Sequence, residues 1–501
     1  MKSYCSLTFL FAVVSAFALT SLAQSPVKQP PASLESLKAE LKERVAGLQT
    51  TNLILKKRVE DSGVDFEIDE ASEAALKEAG ASADLIETIR ESLCAEHFNK
   101  ALECPKEDFK CQIDLYSKAL SFHPNDATTL VNRGAAYEGQ KDLEKAIADY
   151  SKAIQIDPKD DMAYGNRANA LRRIGKPADS LVDFEVVEKQ NPKEPSTYYN
   201  RGLAYEELGK YELAIKDFGK YILLKPKDPD GYGERGNAYF EIGSYDLSIK
   251  DYTSAIALSK TDSDLFVGRG RAYSEKGSYP LATKDFDTAI KLNAESAYAF
   301  HNRGYMYFVM KQYAKAVADY DRSIEIDPHA GRYVDRGVAQ YRNGSRDLAR
   351  KDYDAAMLTD PKYSPAYYYR GLLFAEAKDY GRAILDFRKA IELEPEDSDS
   401  HFERGLIYIE IEAYESALAD FTRVFELEPN NSAAIGNRGI VYLRMKEYQK
   451  AVTDLSHSLK LDPNDADTYF NRSIAYEELG ETQKAAADKR RSEQLERSKK
   501  P

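Results

Sequence analysis

Eleven arginines punctuate this chain at almost constant spacing: Arg133, Arg167, Arg201, Arg235, Arg269, Arg303, Arg336, Arg370, Arg404, Arg438 and Arg472. The ten intervals between them are all 34 residues long except one of 33. Sixteen residues after each arginine stands an aspartate: Asp149, Asp183, Asp217, Asp251, Asp285, Asp319, Asp352, Asp386, Asp420, Asp454 and Asp488. The surrounding text repeats too, as NRGAAYEGQKDLEKAIADYSKAIQIDP from Asn132 and NRGYMYFVMKQYAKAVADYDRSIEIDP from Asn302. A chain of 501 residues would ordinarily divide into about three domains. A strict short period excludes that plan, because each unit is too small to bury its apolar face alone and must stack on its neighbours.

Within one period the large and small residues hold fixed places. The first clear copy has Leu130, Gly134, Tyr137, Ala146, Tyr150 and Pro158; a later one has Tyr198, Gly202, Tyr205, Ala214, Phe218 and Pro226. Small residues at the Gly134 and Ala146 positions let two helices approach closely, with Tyr137 and Tyr150 filling the space around that contact. Gly175, Gly209, Gly243, Gly277, Gly344 and Gly480 stand where a first helix should stop. Asp-Pro pairs such as Asp157-Pro158 and Asp327-Pro328 end the second. This pattern resembles the tetratricopeptide repeat over residues 127–499, with a degenerate unit at 93–126. The resemblance implies an all-α fold, a right-handed superhelical solenoid of tandem helical hairpins.

The arginine departs from that family pattern, which has leucine at its place. Its aspartate falls on a helix face that should meet it in the hairpin, so Arg133 with Asp149 and Arg303 with Asp319 are expected to form partly buried pairs, inside each repeat or between neighbours. A basic ladder for a ligand is the alternative; the perfect acidic matching favours structural pairs. In the last repeat Lys489 and Ser492 stand where inner copies have an aromatic and a small residue, so the tail from Lys489 reads as a solvated capping helix.

Ahead of the array, residues 1–23 carry Lys2, an apolar run from Leu7 to Leu19, and small residues at Ser21 and Ala23. This is the plan of a secretory signal cleaved after Ala23, and it predicts export to a bacterial periplasm or the medium, with no stable membrane insertion afterwards. Residues 24–61 read as a Pro-rich linker and one amphipathic helix marked by Leu34, Leu37, Leu41, Val45 and Leu48. Residues 62–92 read as a small helical hairpin with N-caps at Asp69 and Ser82 and a stop at Gly80. That hairpin resembles a short segment of other exported bacterial repeat proteins. In an oxidising compartment Cys104 and Cys111, which bracket PKEDFK, are a candidate disulfide, and Cys94 is left over.

For function, 83 acidic against 70 basic residues give a net charge of -13, which argues against nucleic acid as partner. The six histidines are scattered, and no phosphate loop, metal-ligand cluster or nucleophile–base spacing stands out, so neither an enzyme nor a cofactor is expected. Family resemblance instead implies protein partners held in a groove lined by the first helices. Positions two before, two after and five after each arginine are polar in the early repeats, as in Asn169, Arg172, Glu206, Arg271 and Ser274. From the sixth repeat they turn apolar: His301, Tyr305, Phe308, Val338, Tyr341, Tyr368, Leu372, Phe402, Leu406 and Phe470 are the candidate partner-binding residues. Packing between adjacent helices is the competing explanation of that run. The family's Lys and Asn clamp for a C-terminal carboxylate is incomplete here: Asn132, Asn166 and Asn200 recur, and the lysines are missing. A scaffold or adaptor in the cell envelope is the expected function, with a holdase-like chaperone as the alternative.

Overall fold

The computed structural model describes residues 30–43 and 48–498, and they hold 27 α-helices and no β-strand. The expected signal segment and Val45 lie outside the described residues. Two units divide the chain, one ending at Leu258 and the other beginning at Ser259.

The first unit opens with α1 (Leu34–Glu43), α2 (Leu48–Ser62), α3 (Glu70–Glu78), α4 (Ala83–Glu103) and α5 (Phe109–Phe122). The single amphipathic helix expected before residue 62 is therefore two. Leu37 and Leu41 from α1 share one buried cluster with Leu55 and Val59 from α2 and with Leu76, Leu85, Ile89 and Leu93. One straight helix rising about 1.5 Å per residue could not bring its two ends to the same cluster. The two ends of this segment are joined at the backbone, where Ala32 N–H donates to Gly63 O at 3.0 Å and Asp65 N–H to Ala32 O at 3.2 Å. Asp69 caps α3 by accepting from Ser72 N–H, and Ser82 caps α4 by accepting from Leu85 N–H. The boundary expected at 92/93 falls inside α4, which serves both the N-terminal cluster and the hairpin it forms with α5. Cys104 and Cys111 are disulfide-bonded across the α4–α5 turn, with Cα atoms 6.2 Å apart, while Cys94 is wholly buried in the N-terminal cluster.

From Ala127 the hairpins are uniform. Each first helix has 13 residues, as in Ala127–Gly139 and Ala297–Val309, and each second helix but the last has 14, as in Leu143–Ile156 and Tyr313–Ile326. The shortened interval is explained by the turn 327–329, one residue shorter than its counterpart 157–160. In eight of the eleven hairpins the residue after the arginine is a glycine that faces the aromatic ring after the aspartate: a Cβ added at Gly134 would sit 2.6 Å from Tyr150, and at Gly202 2.6 Å from Phe218. Those rings are the deepest residues of the array, with Tyr150, Phe218, Phe286, Phe387 and Phe421 fully buried.

The last helix departs from the expected solvated cap. It runs from Thr482 to Ser498, longer than the other second helices. Lys489 is exposed as its charge requires, whereas Ser492 and Leu495 are both 8 % exposed. Leu495 stands at the place of Leu461 one period earlier, which is 38 % exposed, and here faces inward beneath the charged outer face of the helix.

Candidate partner-binding site

The array's arginines set the geometry of the first helices, and all eleven grip their aspartates in the same way. In the second unit Arg303 donates Nε–H to Asp319 Oδ2 at 2.8 Å and Nη2–H to Asp319 Oδ1 at 2.7 Å. In the first, Arg133 does the same to Asp149, both at 2.7 Å. The carboxylate is thus inside the repeat. In several repeats the guanidinium's remaining arm reaches the second helix of the preceding repeat: Arg133 Nη1 to Ser117 Oγ at 3.1 Å, Arg201 Nη1 to Glu188 Oε2 at 2.6 Å, Arg303 Nη1 to Asp287 Oδ1 at 2.5 Å and Arg370 Nη1 to Asp354 Oδ1 at 2.7 Å. Sequence reasoning left open whether the pair lay within or between repeats; the planar fork does both at once. Hydrogen bonds donated to Asp319 hold the Arg303 guanidinium even more firmly charged than usual, against the opposing effect of burial. These arginines are structural groups, consumed by their own aspartates.

With the hairpins so fixed, the apolar candidates separate into two sets. Those two before the arginine lie against the buried ring of their own second helix: His301 is 5.4 Å from Tyr320, Tyr368 6.0 Å from Phe387 and Phe402 5.7 Å from Phe421, between ring centroids. His301 also reaches Asp335 Oδ2 at 2.7 Å from Nε2. Phe470 has no such ring beneath it, because Lys489 replaces the aromatic, and it is 48 % exposed. Phe308 rests 5.5 Å from Tyr313, and Leu406 covers the cluster around Phe421. Tyr305 is open, at 47 %. The expected continuous groove wall is therefore largely the seam of each hairpin at these positions.

The remaining candidates come together. Val338 and Tyr341, from Ala330–Arg342, and Leu372, from Ser364–Glu376, line a cavity of about 450 Å³ that opens to solvent. Tyr353, Tyr369, Leu373 and Ala375 complete its apolar wall, and Arg342, Glu376 and Glu403 its polar one. Tyr341 Oη–H donates to Glu376 Oε2 at 3.0 Å, and Arg346 pairs with the same carboxylate. Glu403 is pushed above the usual carboxylate range by burial and then by the like charge of Asp399. Tyr369 and Glu403, each one residue before an arginine, were missed by sequence reasoning. Counting from that position at helical spacing, Tyr369, Leu372, Leu373 and Glu376 fall on one face, which is the signal that would have found Tyr369.

In the first unit the early repeats form a polar counterpart of about 490 Å³, where Asn166, Asn169 and Asn200 line one cavity and Asn169 Oδ1 is buried without a hydrogen bond. Asn132 is not part of it; its Nδ2–H bonds Thr128 O at 2.9 Å. Glu206 of the same unit is pushed up to about 8 by burial and by Glu234, Glu241 and Glu207. Among the described residues no three His, Cys, Asp or Glu side chains are grouped to hold a metal ion, and no helix is long and apolar enough to cross a membrane.

Family models of the tetratricopeptide repeat match residues 127–160, 195–228, 297–329, 364–397, 398–431, 432–465 and 455–487, and a further TPR repeat model matches 236–277. The chain belongs to the tetratricopeptide-repeat proteins. Similar solved structures include yeast Tom70, at 17 % identity and a TM-score of 0.43 over 80 % of this chain and 96 % of that one. A tetratricopeptide repeat protein from Parabacteroides merdae has 21 % identity and a TM-score of 0.41 over 51 % and 98 %. YrrB, described as a TPR protein with an unusual peptide-binding site, has 21 % identity and a TM-score of 0.34 over 37 % and 96 %. Comparison with curated proteins finds no match. As a tetratricopeptide-repeat array the chain is a protein-interaction scaffold, and its matched arginines and aspartates give each repeat a polar clasp.

Proposed function

We propose that this chain is a non-enzymatic adaptor of the cell envelope that holds segments of client proteins against the first helices of its repeats. The observation that carries the reading is the cavity at Val338, Tyr341, Tyr369 and Leu372, a solvent-open apolar recess rimmed by polar groups. Recesses of this kind take the anchoring side chains of a partner, where binding energy concentrates. Export is supported by the N-terminal pattern of Lys2 followed by an apolar run, and agrees with a disulfide between Cys104 and Cys111.

A photo-crosslinking residue placed at Tyr341 tests this in the envelope of producing cells, with the same group at Leu358, an exposed residue on a second helix, as reference. A small set of partners crosslinked from position 341 and absent from 358 is expected. Equal yields from both positions would end the reading. A broad smear of unrelated clients from 341 alone would replace the adaptor with a holdase.

A further inference from the structure

The cavity in the second unit holds two carboxylates in different circumstances. Glu376 is already answered, by the Tyr341 hydroxyl at 3.0 Å and by Arg346. Glu403, half-buried on the helix Ser398–Glu410, makes no hydrogen bond or ion pair with any described residue. The one charge that bears on it is another carboxylate, Asp399, one turn earlier on the same helix. The cavity's own cation, Arg342, belongs to Ala330–Arg342, two first helices away. A carboxylate partly stripped of water and left without a donor is costly to the free protein, and that cost is removed when a cation arrives. Beside it, Tyr369 and Leu372 offer an aromatic face and an aliphatic wall, the surroundings in which the methylene stem of a long basic side chain lies while its head stays polar.

We propose that this cavity receives an arginine or lysine side chain that a partner protein presents within an apolar segment, its stem against Tyr369 and Leu372 and its cationic head on Glu403. The proposal rests on the reading of the cavity as a docking site and adds the chemistry of the occupant. Acidic segments, including a free C-terminal carboxylate, are rejected by Glu403 and Asp399 through like-charge repulsion.

The test uses the full chain, immobilised, and a random peptide library displayed on phage. Recovered peptides are expected to carry arginine or lysine flanked by apolar residues. A synthetic copy of the strongest binder should lose about tenfold in affinity when its basic residue is replaced by a neutral isostere, citrulline for arginine or norleucine for lysine, and a similar factor when the protein carries Glu403→Gln. Leu372→Ser should weaken binding whatever the peptide's charge. Because the peptide-side replacement leaves the protein untouched, it decides the matter even where a protein variant melts early. Peptides lost with Leu372→Ser yet lacking a basic residue, or indifferent to the neutral isostere, overturn the cation and leave the docking site standing. Peptides indifferent to Leu372→Ser, Tyr341→Ser and Glu403→Gln together, or no recovered peptide at all, overturn both.

Discussion

Arg303 closes on Asp319 with two parallel hydrogen bonds, at 2.8 and 2.7 Å, while its third arm holds Asp287 of the preceding repeat at 2.5 Å. One side chain thus shuts its own hairpin and fastens it to the one before. Arg303→Leu leaves Asp319, 6 % exposed, as a buried carboxylate without its donors, a loss of about 3–5 kcal/mol. Combined with Asp319→Leu the apolar pair should recover most of it, since a buried ion pair replaced by packed hydrocarbon is often neutral. Denaturant unfolding of the single and double variants checks this; a neutral single variant would contradict the clasp.

The turn after each first helix needs a left-handed residue. Gly209 supplies it with φ 67°, but Lys141, Lys311, Lys378, Glu412 and Lys446 occupy the same place at φ between 57° and 65°. A side chain there is strained relative to glycine, so Lys378→Gly should stabilise by roughly 0.5–1 kcal/mol, and Gly209→Lys should cost a similar amount. Thermal melting of the two variants should move in opposite directions.

Apolar first-helix residues divide by what lies beneath them. Phe402→Ala removes the ring against Phe421 and is expected to cost about 2–4 kcal/mol, somewhat less than a fully enclosed phenylalanine. Tyr305→Ser, at a position 47 % exposed, should change stability by less than about 0.5 kcal/mol. Equal losses at both positions, read by circular dichroism melting, would show Tyr305 to be part of the seam.

Glu206 makes stability depend on pH. Burial, then Glu234, Glu241 and Glu207, raise its carboxyl from 4.5 to about 8. The folded chain therefore holds this proton more tightly than the unfolded chain does. The associated stability is fully present below about pH 4.5 and is lost as pH rises through about 8. Glu206→Gln, which keeps the neutral shape, should flatten that decline and leave the variant more stable than the parent by about 1–3 kcal/mol near pH 9. Urea unfolding at a series of pH values reads the slope directly.

Reduction of Cys104–Cys111 opens a loop whose ends are seven residues apart in sequence, and the chain-entropy relation gives about 2–3 kcal/mol for a closure of this length. Cys104→Ser with Cys111→Ser should therefore match the reduced parent in melting temperature. A gap between the two would point to a contribution from the thiols themselves.

The repeat and its chemistry were readable from residue types alone. A period of 34 with glycine facing an aromatic sixteen residues away, and arginine matched to aspartate at the same distance, specifies a helical hairpin, because only that geometry makes residues so far apart neighbours. Helix ends were equally legible at Gly209 or Ser82, where local backbone conformation and capping decide the matter within a few residues. What lay beyond local reach was decided by packing. Leu37 and Leu55 fall in a segment that reads as one helix until a shared cluster folds it back on itself. His301, Tyr368 and Phe402 look like groove residues until the ring beneath each claims it. Glu403 became visible only once neighbouring first helices stood side by side around a common cavity. Amphipathic periodicity says which face of a helix is buried, but whether a residue near the edge of that face covers a neighbour or faces an opening depends on the rotation of one hairpin against the next, which no single helix encodes.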